Sequence, residues 1–159
     1  MSATLQSNSG EEQFVIELGA PAEYAHDSGF EASVHLRGRH WDGDHTFPFS
    51  TSIHGLWLGA VDLKSLQEHI SRWLCQPLDC LIAESLRAEF RLTRLLGQGV
   101  QVRFGSRPDP TSTPNPVVTI ALSAGALQIE FHCVTDQSCL AVFARELSAE
   151  LAPSRENAV

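Results

Sequence analysis

Two histidines and two aspartates fall within six consecutive residues, His40-Trp41-Asp42-Gly43-Asp44-His45, and His26-Asp27 lies a short way upstream. Imidazole nitrogens and carboxylate oxygens are donors that zinc and other transition metals accept, so His40, Asp42, Asp44 and His45 form a candidate metal set. The same residues also suit a solvated hairpin tip, where Asp-Gly serves the turn and the histidines flank it. Their spacing is not that of a helical His pair, and no metal motif is completed. Trp41 beside a polar turn is a candidate interface anchor. Asp42, Asp44, Asp62 and Glu68 would surround it with negative potential and steer a basic partner.

Other reactive groups are scattered. Cys75 and Cys80 stand five apart and Cys133 and Cys139 six apart, the first at the limit of and the second beyond the spacing of about three to five usual for structural zinc pairs. Cys80 lies in the apolar run Cys80-Leu81-Ile82 and Cys133 ends a strand, so buried, inert thiols are expected. Cys139 near a helix start would become a low-pKa nucleophile if His132 met it. No Gly-x-Ser-x-Gly, Walker or dinucleotide fingerprint occurs, and Gly97-Gln98-Gly99 lacks the third glycine and the helix of a phosphate cradle. Glu84 and Glu89 face opposite ways on a regular strand, a poor arrangement for an acid and base pair. No cofactor is expected.

The chain of 159 residues fits one domain and carries a formal net charge of −8. That balance argues against nucleic acid, whose phosphates demand excess Lys and Arg, and favours a basic protein partner. No basic start leads into an apolar run, and no stretch approaches about 18 continuous apolar residues, so neither a signal peptide nor a membrane association is expected. The cytoplasm is the expected compartment, with reduced cysteines.

The elements that must position these groups follow from periodicity. Residues 1–12 are polar and read as a flexible leader. Phe14–Leu18 reads as a strand closed by Gly19. In residues 29–37, Phe30, Ala32, Val34 and Leu36 point one way and Glu31, Ser33, His35 and Arg37 the other, which means a half-buried strand. The chain turns at Asp42-Gly43 and returns through Thr46–Ile53, an edge or bulged strand because Pro48 cannot donate to a ladder. Gly55–Ala60 continues as apolar strand or turn, with Trp57 capping the edge of the core. Asp62 reads as the N-cap of a helix whose face is Leu63, Leu66, Ile70, Trp73 and Leu74, stopped by Pro77. Leu86–Leu92 and Val100–Phe104 read as strands around a Gly97–Gly99 turn. Residues 106–116, from Ser106 to Pro116, form a proline-rich loop. A second hairpin follows, Val118–Leu122 and Leu127–Phe131, turning near Ala124-Gly125. Asp136 then caps a last helix with the stripe Leu140, Phe143, Leu147 and Leu151, stopped by Pro153 before a tail over 153–159.

Short turns between consecutive strands imply antiparallel pairing. The expected fold is a single α+β domain over residues 13–152, mainly an antiparallel β-sheet covered on one face by two α-helices, without internal repeats. Three segments then carry a family pattern: the strand Phe30-Glu31-Ala32-Ser33-Val34-His35-Leu36, the entry Trp57-Leu58-Gly59-Ala60-Val61-Asp62-Leu63-Lys64-Ser65-Leu66 into a helix, and Leu127-Gln128-Ile129-Glu130-Phe131 followed by Asp136-Gln137-Ser138-Cys139-Leu140. Over about residues 14–152 the chain resembles the WapI-like bacterial immunity proteins. The resemblance implies a non-catalytic cytoplasmic protein that neutralises a basic toxin domain, often a nuclease, by occlusion. It transfers no site residue. Homo-oligomerisation through the strand edge near Pro48 is the remaining expectation for partners.

Overall fold

Alternation of apolar and polar residues dominates the chain, and the computed structural model, which describes residues 2–106 and 115–152 without the side chains at positions 40–42, builds that alternation into strands. β1 (Ser2–Gln6), β2 (Gln13–Tyr24), β3 (Asp27–Asp42) and β4 (His45–Gly59) form one antiparallel meander, and α1 (Ala60–Leu74) follows it. Two short 3-10 turns, Leu78–Cys80 and Ala83–Leu86, lead to a second meander of β5 (Ala88–Arg91), β6 (Gln98–Ser106), β7 (Pro116–Ala124) and β8 (Leu127–Val134). α2 (Gln137–Leu151) closes the order. The fold class is α+β with antiparallel pairing, but the strands form two sheets of four rather than one. A meander followed by a helix thus occurs twice, although the sequence shows no repeat.

The core is one cluster fed by every layer. Leu36, Val34 and Ala32 of β3, Val100 and Val102 of β6, and Val118 and Ile120 of β7 are buried at period two. Leu63, Leu66, Ile70 and Trp73 supply the buried stripe of α1, and Leu140, Phe143, Ala144 and Leu147 that of α2. α2 packs on β1 and on α1, and Phe14 meets Phe143 with ring centroids 6.3 Å apart. Phe49 of β4 meets Phe131 of β8 edge to face at 5.9 Å and ties the sheets together.

Several expectations need correction. Residues 2–6 are not a flexible leader, because Ala3 and Leu5 are buried and β1 pairs with β2 from Ser2↔Glu17 to Gln6↔Gln13. The outward edge of β1 is met by α2, where Glu146 Oε2 accepts a hydrogen bond of 2.8 Å from the Thr4 amide. Gly19 does not close a strand: β2 shifts register between Leu18 and Pro21 and runs on to Tyr24. Asp62 is not the N-cap of α1, which is Gly59; Asp62 lies in the first turn. Leu86 belongs to a 3-10 turn rather than to β5. Most of the loop expected over Ser106–Pro116, and the tail over 153–159, lie outside the described residues. Trp57, expected at the core edge, is 5% exposed. β4 is an edge strand, as Pro48 requires.

Candidate functional site

The hairpin of β3 and β4 outruns the sheet. Pairing of β2 with β3 ends at Gln13↔Arg37, whereas β3 and β4 stay paired through Gly38↔Phe49, Arg39↔Pro48, His40↔Phe47 and Trp41↔Thr46 to Asp42↔His45. Gly43 and Asp44 are the two loop residues, and Gly43 adopts φ +58° while Asp44 does not share that sign. Glycine first in a two-residue loop is the II′ arrangement, so the turn pair is Gly43-Asp44 rather than Asp42-Gly43. Asp44 and His45 are exposed at the tip, and the His45 ring lies 6.4 Å from that of Phe47, which is 52% exposed.

The sequence-derived residues do not form one surface. The side chains of His40, Trp41 and Asp42 lie outside the described set, which leaves only Asp44 and His45 of the metal candidates. Among the described residues no group of three or more His, Cys, Asp or Glu side chains is arranged to hold a metal. Asp62 stands at the far end of β4 from the tip, a distance of roughly 40 Å along an extended strand. There it accepts from Arg94 at 3.4 Å, and Asp27 accepts from the same guanidinium at 3.2 Å. The two carboxylates, Asp62 first, hold the Arg94 proton more tightly than usual. Glu68 pairs with Lys64 at 3.8 Å one helical turn away, an exposed contact that contributes little.

The thiols divide. Cys133 is fully buried, and desolvation first, then the charge of Glu12, pushes it up to about 12. Cys75 and Cys80 are exposed, contrary to the expectation of buried thiols. Cys139 is shifted upward, not downward: burial and the neighbouring Asp136 carboxylate outweigh the helix N-terminus. Its Sγ points to the Ser7 carbonyl at 3.9 Å, while His132 Nδ1 lies 3.0 Å from Thr119 Oγ1 on the outer face of the second sheet. The Cys139–His132 pairing is therefore not formed.

Sequence reasoning missed a polar constellation on the outer face of the first sheet. Ser52 Oγ lies 2.7 Å from His35 Nδ1, and Ser33 Oγ lies 2.8 Å from His54 Nδ1. The two imidazoles meet edge to face at 5.6 Å. Glu17 Oε2 stands 3.1 Å from His35 Nε2, which is shut off from solvent and makes no hydrogen bond. A shallow basin of about 560 Å³ adjoins the group, lined by Glu17, Glu31, Ser33 and His54 among others. The signal was available in part: period two places His35 and Ser33 on the outward parity of β3, but the partner residues on β4 follow only from the Gly43-Asp44 turn. On the second sheet, His132 Nε2 and Arg103 both approach Glu130, at 3.2 and 3.0 Å. Compared with known proteins, this chain matches no family model, no curated protein and no solved structure.

Proposed function

We propose that this chain is a protein-binding module that neutralises a bacterial toxin domain by covering it, as the resemblance to WapI-like immunity proteins implies. One observation supports the reading above the rest: the ribbon of β3 and β4 projects beyond β2 and offers Asp44, His45 and a half-exposed Phe47 at its end. An exposed aromatic beside polar groups at the end of a hairpin is the anchor-and-rim pattern of an interface centre. The net charge of −8 suits a basic partner such as a nuclease-type toxin domain working in the cytoplasm. Action on the partner is by occlusion and needs no chemistry.

Co-expression with any toxin domain encoded beside this gene tests this. The expected outcome is a 1:1 complex and restored growth. Phe47→Ala with Asp44→Ala, and separately Trp41→Ala with Asp42→Ala, should each weaken the complex by about tenfold or more with an unchanged Tm. No complex sinks the reading; a complex whose Kd ignores both double variants moves the surface away from the tip.

A further inference from the structure

Two serine–imidazole hydrogen bonds lie side by side on the outer face of the first sheet, and they differ in what stands at the far nitrogen. His54 Nε2 meets no carboxylate among the described residues. His35 Nε2 faces Glu17 and has no access to water. No hydrogen bond joins them, but the carboxylate charge 3.1 Å away favours the tautomer protonated on Nε2, which leaves Nδ1 a lone pair. Ser52, 2.7 Å from that lone pair, must then be the donor. A hydroxyl donating to an imidazole whose other nitrogen faces a carboxylate is the arrangement of an activated nucleophile. Ser33 and His54 supply the internal comparison: the same hydrogen bond without the third member.

We propose that Ser52 is a nucleophile activated by His35, with Glu17 as a positioning residue, and that it accepts acyl groups from activated esters. Ser52 Oγ forms a bond to the acyl carbon, and the bond from that carbon to the leaving oxygen breaks. The serine proton passes to His35 Nδ1 and then to the leaving alcohol or phenol, while the transient imidazolium faces Glu17. Water then bonds to the acyl carbon while giving a proton to Nδ1, the bond from that carbon to Ser52 Oγ breaks, and Oγ takes the proton back from Nδ1 as the carboxylic acid leaves. The pair sits in a regular cross-strand position, His35↔Ser52, on an open face rather than in a cleft enclosed by oxyanion donors. The fitting substrates are therefore esters whose leaving group departs readily, such as aryl esters. This site is separate from the hairpin tip, and its test requires no partner.

Intact protein is treated with 4-nitrophenyl acetate and, in parallel, with an alkyl fluorophosphonate, and modified serines are located by peptide mass spectrometry. Ser52 should be modified about tenfold or more faster than Ser33. Ser52→Ala and His35→Gln should abolish the fast phase. Glu17→Gln should slow it several-fold and displace its pH profile, whereas a merely structural Glu17 would leave that profile in place. Equal labelling of Ser33 and Ser52, or a fast phase surviving in Ser52→Ala, overturns the proposal. The wild-type mapping decides the matter even where a variant fails to fold.

Discussion

The indole of Trp57 lies directly against the backbone of Gly29: a Cβ at position 29 would stand 2.6 Å from the ring atoms Cε2 and Cζ2 and would also strike the Leu58 carbonyl oxygen. Trp57 is held there by Tyr24, whose ring is 5.9 Å away, and by its own Nε1 donating to the Ala22 carbonyl at 3.4 Å. The strand pair Gly29↔Gly59 closes the same corner. Because backbone is one of the obstructing groups, the site cannot relax by a rotamer change alone. Gly29→Ala is expected to destabilise by about 1–3 kcal/mol through overpacking, with Tm falling by about 2–4 °C per kcal/mol. A thermal melt indistinguishable from wild type would show that the indole is free to move.

The turn between β2 and β3 is strained in an unusual way. Tyr24 pairs with Asp27, so Ala25 and His26 are the two loop residues, and both adopt positive φ, 49° and 71°. Two positive φ angles make this a type I′ turn, which normally takes Asn-Gly. A Cβ costs free energy in the left-handed region. Replacing Ala25-His26 by Asn-Gly should therefore stabilise the protein by about 0.5–1 kcal/mol, after the extra unfolded-state entropy of glycine is offset. Chemical denaturation should show a higher midpoint with an unchanged m-value. A lower midpoint would mean that the His26 side chain makes a contact worth more than the strain.

How far the sequence reached can be judged on particular elements. Period-two burial made β3, β6 and β7 legible, because each has one apolar face with few exceptions. β1 was missed because five residues with two buried apolar side chains carry too little signal, and its stability comes from β2 and from Glu146 some 142 positions away. The division into two sheets was invisible for the same reason: it is fixed by long-range contacts such as Phe49 with Phe131. The Ser52–His35 pair is a middle case. Parity puts both residues on the outward face, but a turn read at Asp42-Gly43 would set Ser50 opposite His35; the observed Gly43-Asp44 turn sets Ser52 there, and Glu17 joins from a third strand whose register no local rule supplies. The candidate binding set failed as a surface because sequence proximity to a helix start says nothing about where along β4 that helix begins.

The N-terminus of α2 gives a pH prediction with a definite sign. Asp136 is the N-cap, and its Oδ1 accepts from the Cys139 amide at 2.9 Å and from the Ser138 hydroxyl at 2.6 Å. The Ser138 hydroxyl first, then the Cys139 amide, hold the carboxyl below its ordinary value. A depressed folded value means that stabilisation is fully present above the unfolded value of about 3.9, and is lost as pH falls through the lower folded value. Asp136→Ala should cost about 1 kcal/mol near neutrality, and the gap to wild type should narrow below about pH 4. Asp136→Asn keeps an acceptor without the charge, so it should retain most of the cap and lose the pH dependence. A gap that persists undiminished in acid would assign the effect to something other than the carboxylate.

The four thiols should report burial directly. Cys75 and Cys80 flank the chain between α1 and the second sheet and are both exposed, so a thiol reagent near neutral pH reaches them without any opening of the fold. Cys139 is partly covered, its Sγ directed at the Ser7 carbonyl, and its raised value keeps the thiolate scarce. Cys133 lies on the inner side of β8 with no exposed surface and a value of about 12. Its reaction must wait for unfolding, because the thiolate is the reactive species and the thiol is out of reach. Timed labelling with a maleimide followed by peptide mapping should therefore give two fast sites, one slow site and one that reacts only in denaturant. Fast labelling of Cys133 in the native protein would mean that β8 opens locally, and with it the contact between Phe131 and Phe49 that joins the two sheets.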